Sequence, residues 1–405
     1  MINIKNALDL IHSNVKAVGT EILPIESALG RVAAEHKFAK FSLPRFDNSA
    51  MDGYAVTMAD AGGVIKSQDT ILAGVQSDLK VTMGNGVKIM TGAPIPEGAD
   101  AVIPVENTEE LEDGIKLPDT IKRGANIRKK GEDITKGEQI VNAGDTIDAY
   151  LITLLASQGI THIRVYRKPT VTIFATGHEL RMHYEQIEDH QIYNSNTPMF
   201  IARSKELGCE TKFIGQAADS LESIKAHISS VLDSDLIITS GGVSVGDADF
   251  TKDAFKELGM ETLFSKVDIK PGKPTTVGRI GKTWIVNLPG NPSAAAVNFE
   301  IFARSIINRL QGKNRPYIAP IVTKLAKEKK IKPGKYSVLM GKFNGEKFEI
   351  ISKQGPGMVS PLKSSDGIII VTPDVETLKE GQTVRMIPIE SNLTSETRVE
   401  LFTSI

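Results

Sequence analysis

The stretch that decides the fold is LIITSGGVSVGDADFTKDAFKELG, residues 236–259. An apolar run passes directly into the paired glycines Gly241 and Gly242, and a helical pattern begins near Phe250. Strand, Gly-rich loop and helix in this order form one unit of α/β grammar. Glycines allow close backbone approach, and the exposed N–H groups at a helix start favour an anion such as phosphate. The spacing is neither GxGxxG nor GxxxxGK[ST], so the nucleotide fingerprints do not apply, and a plain turn remains the alternative reading.

The same grammar extends to both sides. TVTIFATG (170–177) reads as a strand, TPMFIARSKELG (197–208) as a helix closed by Gly208, TKFIGQA (211–217) as a strand and DSLESIKAHISSVL (219–232) as a helix. NPSAAAVNFEIFARSIINRL (291–310) opens a last helix with Asn291 as cap and Pro292 in the first turn. This alternation predicts a parallel sheet covered on both faces.

The flanks have a different character. Residues 3–34 follow a helical pattern interrupted by Gly30, and the register changes at FSLPRFDNS (41–49). Up to about residue 140, Gly-rich turns separate short runs such as GYAVTM (53–58) and GIKLP (114–118), which predicts a small β domain. DAYLITLLASQGI (148–160) reads as a helix expected to pack beside the N-terminal one in a connecting layer. After Pro316, Asn344-Gly345 between apolar runs signals a hairpin, and 366–389 adds two strands, together a C-terminal β domain.

Composition limits the function classes. The 405 residues, 40% hydrophobic and 24% charged, are too many for one ordinary core. Lys+Arg 48 against Asp+Glu 49 leaves a net charge of −1, so no global basic field draws the chain to nucleic acid or an anionic membrane. The N-terminal MINIKNALDLIHSNV lacks the sections of a signal peptide, and no apolar run reaches bilayer length. The single cysteine, Cys209, forms no intramolecular disulfide and argues against a thiolate zinc site, so the expected compartment is the cytoplasm.

Candidate chemistry gathers at the ends of the α/β strands, where ligands of open sheets sit. DIKPGKP (268–274) sets Lys270 and Lys273 around a rigid Pro-Gly pair, and NLPGNPSAAA (287–296) opens a helix at Ser293. Three strand ends carrying Gly, Lys or Ser point to a polyanionic ligand. Glu179, Asp247 and Asp249 are each explained alone as helix-start carboxylates, but together they offer oxygen ligands for Mg²⁺. HELRMH (178–183) imitates the zinc-protease HExxH with its second histidine one residue late. Five residues turn the helix by roughly 140°, so the two rings do not share a face, and nearby His190 supplies no correct spacing either.

FDNSAMDGYAV (46–56), IMTGAPIPEGADAVIPVE (89–106), IRKKGEDI (127–134), TSGGVSVGDADFTK (239–252), IKPGKP (269–274) and NLPGNPSAAA, in this order, resemble the MoeA family of molybdopterin molybdenumtransferases, related to the E domain of gephyrin. The resemblance covers nearly the whole chain. It implies an α/β multidomain protein in four parts: an elongated connecting part (1–45 and 141–168), an inserted β domain (46–140), a central three-layer molybdopterin-binding α/β domain (169–315) and a C-terminal β-barrel (316–405). It further implies a homodimer whose clefts draw on both subunits, with the adenylyltransferase of the preceding step as a further candidate partner. The implied substrates are adenylylated molybdopterin and molybdate, with Mg²⁺ assisting AMP release.

By resemblance the catalytic positions are Asp47, Thr91, Asp133, Glu179, Asp249, Lys270 and Lys273, with Glu179 and Asp249 holding the metal. Gly241, Gly242, Ser244, Gly246, Asp249, Pro289, Pro292, Ser293 and Ser360 are the cofactor-binding positions. Two departures stand out. His178 replaces the first acid of the usual Gly-Asp-Glu-Leu, and the strand around Met340 offers Lys335 and Lys342 where the family often presents arginines, leaving three readings: Lys335 or Lys342 compensates, the oxyanion site is weaker, or Met340 packs in the barrel core. The rival readings are an adenylyltransferase-like enzyme and a non-enzymatic, gephyrin-like scaffold. The flanking β domains weigh against the first, and the retained acids and lysines against the second.

Overall fold

The computed structural model describes residues 1–241 and 250–389. The chain forms two compact units, Met1–Ala34 with Ala143–Asp148 and His162–Ile405, and Glu35–Asn142 with Ala149–Thr161. The N-terminal helical reading holds only for α1 (Ile4–Asn14), where Asn3 Oδ1 accepts from the Asn6 N–H at 2.8 Å and Ile4, Ala7 and Ile11 are buried along one face. The backbone turns extended at Val15, and Thr20–Pro24 is instead a strand paired antiparallel with His162–Tyr166.

The smaller unit carries β1 (Gly53–Val56), β2 (Val64–Ile71), β3 (Asn85–Ile89), β4 (Ala101–Pro104), β5 (Glu109–Leu111) and β6 (Gly114–Lys116), in the sheet order β4-β1-β3-β2-β6-β5. Alternation divides its core: Tyr54 and Val56 pack with Ile65 and Ile103, and Ala55 with Val87 and Val102. α2 (Ala149–Ser157) belongs to this unit. α1 packs in the larger unit.

In the larger unit follow β7 (Thr170–Thr176), α3 (Asn196–Glu206), β8 (Glu210–Ala217), α4 (Leu221–Ser229), β9 (Leu236–Ser240), α5 (Phe250–Glu257), β10 (Glu261–Ser265), β11 (Ile269–Lys270), β12 (Thr276–Ile280), β13 (Thr283–Leu288), α6 (Pro292–Asn298) and α7 (Arg304–Leu310). The sheet order is β8-β7-β9-β13-β12-β10. Every residue of β9 and β13 is buried, so both faces are covered: Ile173, Ile238 and Val286 face the layer of α1, α3, α6 and α7, while Phe174, Ile237 and Ile285 face α4 and α5. The first four strands are parallel as expected. Only β12 runs against them, because the tight turn at Gly281 makes β12 and β13 a hairpin, and β10, antiparallel to β12, returns to the direction of the first four. Asn291 precedes α6 in extended conformation without a capping bond, and a π-helical turn, Phe299–Ala303, joins α6 to α7.

Beyond α7, β14 (Ile321–Leu325), β15 (Tyr336–Phe343), β16 (Lys347–Ile350), α8 (Ser360–Lys363), β17 (Gly367–Val371) and β18 (Thr383–Pro388) build the C-terminal β domain. The order β11-β15-β16-β14-β18-β17 closes on itself through a β15–β17 pairing, and the Asn344-Gly345 turn makes β15 and β16 the expected hairpin. Met340 is 3% exposed and packs in the core. Of the readings of the missing arginine, the core methionine is the one observed.

Candidate functional site

In the larger unit the carboxyl ends of β7, β9 and β13 meet. Gly241 follows β9 with φ of +99°, and a Cβ there would stand 2.5 Å from the Thr176 carbonyl, so only glycine fits between the strand ends. Asn196 at the start of α3 donates to the Gly290 carbonyl at 2.8 Å and to Ser240 Oγ at 3.3 Å, tying the β13 loop to β9. Pro289 is buried in that loop, and Pro292 forms the first turn of α6. Ser293 is buried, and its hydroxyl donates to the Met358 carbonyl at 2.6 Å while its N–H donates to the Pro356 carbonyl at 3.0 Å. This bond holds the 356–360 loop, with exposed Ser360, over the N-terminus of α6; the Ser293 proton is committed.

Among the described residues, Thr176 Oγ1, Asn196 Oδ1, Thr239 Oγ1 and Asn287 Oδ1 are buried without a hydrogen-bond partner. All four lie at the carboxyl edge of the sheet or the start of α3. Orphaned polar groups there fit a polar, many-acceptor and many-donor ligand. Gly242, Ser244, Gly246, Asp247 and Asp249 lie outside the described residues.

The Lys270–Lys273 turn lies in the connection between β10 and β12, which reaches the sheet where Thr276 pairs with Asn287 near the carboxyl end of β13. Within this connection β11 pairs with β15, Ile269 opposite Tyr336 and Lys270 opposite Ser337. Both lysines are exposed, and the turn rests against α6 through the Asn298 amide, whose Nδ2 donates to the Pro271 carbonyl at 3.2 Å. Glu179 is exposed just past β7, its carboxylate folded over Gly177, whose Cβ position lies 2.8 Å from Oε2. Among the described residues no three His, Cys, Asp or Glu side chains form a metal-sized cluster. One strand-end carboxylate still suits Mg²⁺, which keeps several waters and takes few protein ligands beside substrate phosphates. No helix among the described residues is long and apolar enough to cross a membrane.

The smaller unit stitches three of the quoted motifs together. Asn48 and Ser49 pair with Arg128 and Ile127, Ser49 N–H donates to the Ala93 carbonyl at 3.0 Å, and Asp133 N–H donates to the Leu43 carbonyl at 3.0 Å. Asp47 Oδ2 accepts from Lys129 Nζ and Oδ1 from the Lys130 N–H, each at 2.8 Å; the Lys129 bond, then the Lys130 bond, hold its carboxyl below the ordinary value. Asp52 Oδ1 accepts from both the Thr91 N–H and the Thr91 hydroxyl at 2.7 Å, and these two bonds lower its pKa as well. Asp47, Thr91 and Asp133 thus belong to one stitched loop cluster, with Thr91 and Asp133 exposed. Asp52 and Asn298 escape the sequence assignment. Asp52 was read within the Asp47–Gly53 loop without a role of its own, whereas Asn298, a lone amide in the apolar run AAAVNFEIF, was a usable signal.

Comparison with known proteins matches three successive regions of the chain. Residues 2–159 match the MoeA N-terminal region (domain I and II), 172–309 a probable molybdopterin binding domain and 324–389 the MoeA C-terminal region (domain IV). The molybdopterin molybdenumtransferase of Staphylococcus epidermidis is 34% identical over 327 residues, 78% of this chain and 77% of that protein. That of Staphylococcus aureus (strain MSSA476) is 36% identical over 319 residues, 77% and 76% of the two chains. The crystal structure of the molybdopterin biosynthesis MoeA protein from Pyrococcus horikosii superposes with a TM-score of 0.81 at 31% identity, covering 96% of this chain and all of that one. Sequence motifs, strand-edge geometry and similarity along the chain agree, and the chain belongs to the MoeA family of molybdopterin molybdenumtransferases.

Proposed function

We propose that this protein takes adenylylated molybdopterin and molybdate, inserts molybdenum between the dithiolene sulfurs and releases AMP with the help of Mg²⁺. The observation that carries the reading is the carboxyl edge of the sheet, where Gly241, the β13 loop and four orphaned polar atoms border one another. In this reading the backbone around Gly241, with Gly242, Ser244 and Gly246, holds phosphate or adenylate. Lys270 and Lys273 offset oxyanion charge. Glu179, with Asp249, would hold Mg²⁺, whose charge would counter that of the phosphates.

The reading includes a homodimer in the cytoplasm, with the Asp47–Thr91–Asp133 loops of one subunit completing the site of the other. The adenylyltransferase of the preceding step would supply the substrate directly. Purified protein incubated with adenylylated molybdopterin, Mg²⁺ and either molybdate, tungstate or no oxyanion tests it. AMP release that requires an oxyanion and stops on chelation of Mg²⁺ is expected; release indifferent to both overturns the reading.

A further inference from the structure

Asn298, at the end of α6, is fully buried, and its amide is committed on every side. Nδ2 donates to the Pro271 carbonyl at 3.2 Å and to the Ala294 carbonyl at 2.7 Å, and Oδ1 accepts from Thr275 Oγ1 at 2.9 Å. Thr275 Oγ1 also lies 3.0 Å from the Gly272 carbonyl. Gly272 has φ of +107°, and a Cβ there would stand 1.7 Å from Asn298 Nδ2. The amide therefore fills the space under the Lys270-Pro271-Gly272-Lys273 turn, and the glycine is required because the amide is there.

The stems of this turn are closed by other means. The Val267 N–H donates to the Lys273 carbonyl at 2.9 Å, the Lys266 N–H donates to the Thr275 carbonyl at 3.1 Å, and β11 pairs with β15. Backbone bonds thus fix where the turn begins and ends, and the Asn298–Thr275 pair fixes the shape of its tip. A buried amide inside an apolar helix is costly unless its groups are paired. Here two of its three bonds are made to the turn and its flank.

We propose that Asn298 is a positioning residue for the transfer reaction, holding the tip of the turn so that the ammonium groups of Lys270 and Lys273 face the oxyanion together. The inference rests on the role proposed above for the two lysines. It is tested by molybdate titrations of AMP release in Asn298→Ala, Lys270→Ala, Lys273→Ala and the Asn298→Ala/Lys273→Ala double variant, with thermal melting and adenylylated-molybdopterin binding measured beside them. Losing the amide should raise half-saturating molybdate roughly three- to tenfold, with little change in pterin binding. In the double variant the loss should be smaller than the product of the single effects, because a positioning residue acts through its lysine.

Multiplicative effects, or an unchanged titration in Asn298→Ala beside a shifted one in Lys273→Ala, overturn the positioning role and leave the lysines in place. Unchanged titrations in both lysine variants remove the lysines from the site and overturn the inference with them. Should Asn298→Ala fail to fold, Thr275→Val removes only the hydroxyl between the Gly272 carbonyl and Asn298 Oδ1 and carries the same comparison.

Discussion

Thr91 donates its only hydroxyl proton to Asp52, so its oxygen turns lone pairs, and no donor, toward any other partner. The same carboxylate takes the Thr91 N–H, and the pair of bonds lowers the Asp52 pKa from its ordinary 3.8. A folded pKa below the unfolded one means that these bonds contribute fully above the unfolded value and are lost as pH falls through the folded value. An NMR titration of the Asp52 carboxyl carbon should therefore show a midpoint below 3.8, and Thr91→Val should move it part of the way back, since the backbone bond remains. Equal midpoints in the two proteins would mean that the hydroxyl bond does not persist in solution. At this scale the sequence was legible where chemistry is local. The loops of Asp47, Thr91 and Asp133 stand in the motifs, but the pairing of Asp52 with Thr91 joins residues 39 apart and left no mark in the order of residues.

At the scale of elements, β15 decides the question of Met340. Its register against β17 sets Met340 opposite Ile368, both buried in the same core, while Lys342 is exposed. An arginine at 340 would bury an unpaired charge. Met340→Arg should cost about 3 kcal/mol or more of stability, a severe effect for one substitution, and lower the melting temperature without improving the response to molybdate. A well-folded variant needing less molybdate would instead place residue 340 on a solvent face. Strands such as β7, β9 and β13 were legible because continuous apolar runs must be covered on both faces. The pairing of β11 with β15 was not, because two residues carry no periodicity and their partner lies 67 positions away. Helix α1 was overextended in the reading because apolar spacing continues past Asn14, whereas the backbone turns extended at Val15 and forms a strand from Thr20. The fastening of β18 also depends on contacts between distant residues: Arg203 Nε donates to Glu300 Oε1 at 2.7 Å, Arg203 reaches the Ile389 carbonyl at 3.0 Å and Arg304 the Pro388 carbonyl at 2.8 Å.

At the scale of the whole molecule, mixing can test the proposal that the site draws on both subunits of a dimer. Asp47→Asn and Lys273→Ala alter different loops, and each alone should lower activity strongly. Subunits exchanged between the two variants form hybrid dimers in which one site is free of both substitutions, so part of the activity should return. No recovery after demonstrated exchange would confine each site to one chain. The account as a whole stands on the transfer reaction itself, and the most direct measurement is the AMP released by purified protein from adenylylated molybdopterin, counted against the molybdenum-loaded pterin formed. The account predicts one AMP for each loaded pterin, with almost none in the absence of molybdate. AMP released without loaded pterin, or no AMP from a folded protein that binds the adenylylated substrate, would contradict it.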